Sequence, residues 1–151
     1  MEYEVVRLEE KKVIGGSTRT SNQDPKMGEK IGMLWQKLYQ GGLYPQINNK
    51  ANEKALGIYT NYESDAAGAY DVVVGCEVSK VDDVPQQSTS IIIPAGSYAK
   101  FTVEGNMVTA VQDFWKQLWK MDLDRAFSCD FEEYQNADME HAIIDIYISL
   151  K

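Results

Sequence analysis

The sequence predicts an α+β fold: two βαββ repeats related by a pseudo-two-fold axis, forming an antiparallel sheet with two helices. Three observations carry this expectation. A helical stripe is written twice, 80 residues apart: Trp35, Leu38 and Tyr39 in GMLWQKLYQGG, then Trp115, Leu118 and Trp119 in QDFWKQLWKMD, with Ile31 and Leu34 answered by Val111 and Phe114. Each stripe has the i, i+3, i+4 spacing of an amphipathic helix, follows one β-rich run and precedes two more. The stretch KVDDVPQQST, with Pro85 and two glutamines, divides the chain near its middle. One βαββ unit alone would leave part of a small sheet unprotected, whereas two can join their sheets and share a core.

Taken in order, Tyr3 to about Ser17 reads as a strand that the charged residues near Glu9–Lys12 interrupt and Gly15-Gly16 end. TSNQDP is a loop that supplies Asp24 as an N-cap and Pro25 as the first helical residue. The first helix runs to about Gln40 on the stripe Met27, Ile31, Leu34, Trp35 and Leu38, and Gly41-Gly42 stops it. LYPQINNKANEK is a polar loop; ALGIYTNY and YDVVVGCEVS form a hairpin through ESDAAGA. The second half opens with SIIIPAGSYAKFTVEG, one strand centred on Tyr98–Val103. Gly105-Asn106 turns it into a helix from about Met107 to Met121, carrying Val108, Val111, Phe114, Trp115 and Leu118. SCDFEEYQ and HAIIDIYISLK close the chain as a hairpin around NADME. The length fits one domain, residues 1–151, with repeat one at about 1–80 and repeat two at about 90–151.

Composition excludes several function classes. Fifteen Lys and Arg against 23 Asp and Glu give a net charge of −8, which repels phosphate backbones, so no direct nucleic-acid binding is expected. Cys76 and Cys129 lack a CxxC neighbour and the single His141 has no ligand spacing, so neither a metal nor any cofactor is expected. Both thiols read as packing residues. The charged N-terminus lacks an apolar export segment and no run reaches membrane-spanning length, so no membrane partner is expected and the location read is cytoplasmic.

The order and spacing of several stretches resemble the GyrI-like small-molecule-binding domain, which also serves as the effector-binding domain of AraC-type and MerR-type regulators. The residues that carry the resemblance are the Trp35-x-x-Leu38-Tyr39 helix, GIYTNYES, YDVVVGCEV, IPAGSYAKFTVEG, the Trp115 helix, FEEY and IDIYISLK. It covers nearly the whole chain and implies the same pair of βαββ repeats. The family's last strand usually has a proline after its isoleucine, where this chain has Ser149 after Ile148. No helix-turn-helix is recognisable ahead of the resemblance.

In an alternating strand Glu132 and Tyr134 share one face, and Phe131 and Glu133 the other. Alternation does not say which glutamate points inward; the resemblance, through its F-E-x-Y strand, implies Glu132 as the pocket acid, with Asp145 and Tyr147 on the last strand. An ionised carboxylate among aromatic rings needs a compensating charge, so such a pocket prefers a cation, which tyrosine and tryptophan faces also attract. Tyr59, Tyr62 and Tyr70 surround the first hairpin as wall candidates. Trp35 and Trp115 lie on core-type stripes; Trp115 is also a wall candidate, with Trp119 and Tyr39 at the helix ends. The expectation is a free-standing binding protein for amphipathic, cationic aromatic small molecules, either an effector-binding or a drug-sequestering module. The alternatives the resemblance implies are a hydrolase of reactive cyclopropane-type compounds that uses Glu132 and pocket tyrosines, Tyr147 among them, and a protein-interaction inhibitor of a larger enzyme.

Overall fold

A computed structural model describes residues 1–65 and 67–151; Ala66, within the predicted ESDAAGA connection, lies outside the described residues. Among the described residues the elements are β1 (Glu4–Leu8), β2 (Lys11–Ser21), α1 (Met27–Tyr39), α2 (Leu43–Gln46), β3 (Ala55–Thr60) and β4 (Ala69–Val78), then β5 (Thr89–Ile93), β6 (Gly96–Gly105), α3 (Met107–Leu118), β7 (Cys129–Tyr134) and β8 (Ala142–Ser149). The fold is α+β. Its βαββ units are β2-α1-β3-β4 and β6-α3-β7-β8. All strands belong to one antiparallel sheet, ordered β1-β6-β8-β7-β3-β4-β2-β5, so the units meet at β3 and β7 and each lends an edge strand to the other.

This order forces curvature. Ile93 ends an edge strand and Gly96 begins the second strand from the opposite edge, and three residues of chain span roughly 10 Å at most. Leu8 and Lys11 impose the same constraint. The sheet therefore curls until its two ends lie close. The curl buries Val13, Ile58, Val73, Phe131 and Tyr147 inside it, on the face that carries neither long helix. On the other face α1 buries Leu34 and Leu38 over the first unit, and α3 buries Phe114 and Leu118 over the second. The repeated stripe thus does the same packing twice.

The structure corrects four local expectations. Gly15-Gly16 do not end the strand: Gly15 pairs with Gly75, and a Cβ on either would meet the other strand's carbonyl oxygen, at 2.4 Å from Gly15 and 2.0 Å from Gly75. Close strand approach, not termination, requires the glycine. Asp24 does not cap α1, whose first residue is Met27; its carboxylate instead accepts the Lys26 amide at 2.8 Å and pairs with Lys30 at 2.7 Å. The polar loop after Gly42 (φ 78°) contains the short helix α2, a third helix beyond the two expected. The strand expected around Tyr98 is two strands, broken at Pro94-Ala95, because proline has no amide to continue a ladder and β5 leaves for the far edge. Among the described residues no helix is long and apolar enough to cross a membrane.

Candidate functional site

The seam between the units sets the site. The β3–β7 register puts Gly57 opposite Glu132 and Tyr59 opposite Asp130. Strand alternation then brings Gly57, Tyr59, Asp130, Glu132 and Tyr134 to the face that carries the helices. Above them, between α1 and α3, lies a cavity of about 410 Å³, within the size range of small-molecule sites. Ile31 and Trp35 wall it from α1, and Val111 and Trp115 from α3, with Trp119 just past the end of that helix. Trp35 meets Tyr134 edge-on at 4.8 Å, and Trp115 meets Tyr59 edge-on at 5.3 Å.

Glu132 is 2% exposed and lines this cavity. Its Oε2 accepts the Tyr59 hydroxyl at 2.8 Å and the Trp115 indole N–H at 3.2 Å, and its Oε1 accepts the Tyr134 hydroxyl at 2.8 Å. Gly57 gives the carboxylate its space: a Cβ there would come within 3.3 Å of Oε1 and 3.4 Å of the Trp35 ring. Among the described residues no cationic group pairs with Glu132. Burial pushes its carboxyl above the ordinary value of 4.5, and the three donors pull the other way without cancelling it. The tyrosines respond in kind: burial and the Glu132 charge push Tyr59 and Tyr134 far up, and burial raises Tyr70 to about 12.

Asp130, two residues earlier, is also fully buried. Its Oδ1 accepts the Ser149 amide at 2.8 Å and the Ser149 hydroxyl at 3.0 Å; its Oδ2 accepts Arg125 Nη2 at 2.8 Å and the Tyr62 hydroxyl at 2.6 Å. Arg125 is therefore its counter-charge.

Of the residues expected at the site, Glu132, Tyr134, Tyr59, Tyr62, Tyr70, Trp115 and Trp119 line the cavity. Asp145 and Tyr147 do not. Directly opposed residues in an antiparallel ladder share a face, and Tyr147 opposes Phe131 while Asp145 opposes Glu133. Tyr147 stacks on Phe131 at 4.6 Å inside the curl, and Asp145 bonds Thr102 at 2.7 Å with Lys100 at 3.9 Å. Glu132 and Tyr147 thus face opposite sides of the sheet, so of the tyrosines named for the hydrolase alternative Tyr147 is not beside the acid, whereas Tyr59 and Tyr134 are. Tyr39 sits one turn beyond Trp35, packs on Tyr44 at 5.9 Å and is 43% exposed, outside the cavity. Glu133, on the other face, is buried too, with Lys54 at 3.6 Å. Cys129 and His141 form no pair: the thiol is buried and raised to about 12, and the imidazole sits exposed beside Asp138.

Sequence reasoning left out Trp35 as a wall, Asp130, Arg125, and the glycines Gly28 and Gly32 that border the cavity from α1. A signal for the glycines existed. Gly32, inside the helix, lowers its stability by about 1 kcal/mol relative to alanine, Gly28 lies four residues earlier in the first turn, and a Cβ on either would meet nothing within 4 Å. They leave space rather than pack.

Comparison with known proteins agrees with this architecture. The family model described as Cass2, integron-associated effector binding protein, matches residues 4–150. YobU of Bacillus subtilis (strain 168), whose name marks it as a candidate transcriptional regulator, is 32% identical over 154 residues, 97% of this chain and 96% of that protein. The crystal structure of the integron cassette protein VCH_CASS2, from the mobile metagenome of Vibrio cholerae, superposes with a TM-score of 0.82 at 31% identity, over 99% of this chain and 95% of that one. SAV2435, solved bound to tetraphenylphosphonium, shares the fold at a TM-score of 0.79 and 20% identity, over 100% and 94%.

Proposed function

The chain belongs to the Cass2 family of integron-associated effector-binding proteins, a GyrI-like effector-binding domain, and from that premise we propose that it captures lipophilic aromatic cations between α1 and α3, with Glu132 as their counter-charge. The observation that carries this reading is a buried carboxylate in an aromatic cavity, with three neutral donors and, among the described residues, no cationic group paired with it. A carboxylate in that position is incompletely compensated, because hydrogen bonds spread its charge but do not cancel it. A ligand cation completes the account. The faces of Trp35, Trp115 and Tyr59 add attraction for a cation, and the apolar walls take the rings around it. The cation carried by SAV2435, a protein of the same fold, is of this class.

The test is calorimetric titration with tetraphenylphosphonium and with a neutral triphenyl analogue. Glu132→Gln keeps the shape and removes the charge. Affinity for the cation falls about 10- to 100-fold, the range for losing a charged hydrogen-bonding partner, and affinity for the neutral probe changes little. Glu133→Gln, on the other face with Lys54, leaves both affinities near wild type. Equal loss for the cationic and the neutral probe in Glu132→Gln, or loss of binding in Glu133→Gln alone, overturns the assignment.

A further inference from the structure

The cavity also holds a guanidinium whose hydrogen-bonding capacity is only partly used. Arg125 lines the cavity, its side chain is 10% exposed, and Nη2 bonds Asp130 at 2.8 Å. Its Nε is buried with no hydrogen-bond partner among the described residues. The group is held in place on purpose-built support: it stacks on the Phe127 ring at 4.3 Å, and Phe127 itself adopts a left-handed backbone, φ 52°, which an aromatic residue enters only under constraint. A clip for Asp130 alone would need a single donor, which lysine supplies; the planar fork and its spare donors are what arginine adds.

The two charged groups border one ring. The Trp115 indole that donates its N–H to Glu132 at 3.2 Å has the Arg125 guanidinium 6.0 Å from its centre. We propose that Arg125 is a second pole of the site that binds an oxygen acceptor on the ligand, so that the best-fitting ligand is amphoteric: an aromatic cation that also carries a carboxylate or comparable anionic oxygen. This rests on the reading of Glu132 as the cation's partner. Asp130 neutralises Arg125 enough that a plain cation still enters. A carboxylate arriving at the guanidinium takes the Nη donors that Asp130 leaves free, a gain unavailable to a ligand without an acceptor.

The test compares two probes that differ by one group, tetraphenylphosphonium and para-carboxyphenyl triphenylphosphonium, titrated calorimetrically into wild type, Arg125→Lys and Glu132→Gln at neutral pH. Wild type binds the carboxylated probe about tenfold more tightly, the effect of one charge-assisted hydrogen bond. Arg125→Lys keeps a positive charge against Asp130 yet brings the ratio of the two affinities close to one. Glu132→Gln weakens both probes and keeps the ratio. A ratio at or below one in wild type, which needs no variant to fold, overturns the proposal, as does a preference that survives Arg125→Lys. Unchanged affinities in Glu132→Gln would instead overturn the cation-partner reading, and the wild-type ratio would still judge Arg125.

Discussion

Asp130 and Glu132 stand two residues apart on one face of β7, both buried, yet one is an anchor and the other is the acid of the proposed site. Asp130 receives four hydrogen bonds, one of them from its own arginine, and ties the Arg125 loop and the Ser149 end of β8 to the seam. Glu132 receives three, all from neutral groups. The difference teaches that burial of an acid does not mark a binding site. What marks it is a charge that the protein itself leaves unbalanced, next to space that a ligand can fill.

The largest effect that separates the two is on stability. Asp130→Asn leaves the Arg125 charge buried without a partner, and urea denaturation should show a loss of about 3–5 kcal/mol. Glu132→Gln, by the same measurement, should hold stability or raise it. Equal losses at both positions would erase the distinction between anchor and site.

The next effect is on protons. The folded carboxyl of Glu132 sits above its ordinary value of 4.5, so its contribution to stability is full below that value and is lost as pH rises through the folded one. The empty protein should therefore show a decline in melting temperature over that interval that Glu132→Gln abolishes. A bound cation favours the charged form, so cation affinity should rise with pH and binding should release protons. Titrations of tetraphenylphosphonium in buffers of different ionisation enthalpy read this directly; heats independent of the buffer would mean that Glu132 is already ionised in the empty cavity.

The smallest effect concerns the space beside the charge. Gly32→Ala places a methyl where nothing lies within 4 Å, so helix propensity should raise stability by about 0.5–1 kcal/mol. The same methyl borders the cavity and should weaken bulky tetra-aryl cations severalfold while sparing smaller ones. A stability gain with unchanged binding would show that α1 does not bound the ligand.

The helices and the alternation of β7 were legible because both are local periodicities: Leu34, Leu38, Phe114 and Leu118 are buried as their spacing demands, and Glu132 shares a face with Tyr134. What was not legible depends on partners distant in the chain. Nothing near Asp145 or Tyr147 reveals that they oppose Glu133 and Phe131, yet that register alone turns them away from the cavity. Arg125 and Asp130 look like two surface charges until the loop after α3 brings them together. Gly15 read as a stop because its reason, the carbonyl of Val74, lies on another strand.

The exchange of edge strands has a consequence for how the chain reaches this state. The β3–β4 and β7–β8 hairpins close from neighbouring sequence, but β1 must find β6, with Glu4 against Lys100, and β5 must find β2, with Lys11 against Ile93. Ladders between such distant residues repay their loop-closure entropy late, so the folding rate is set by the crossing of the two units rather than by either helix. Until both crossings close, β2 and β6 present bare edges, and each matches the missing strand of any other copy as well as that of its own. Crowded nascent chains therefore have a ready route to intermolecular strand exchange.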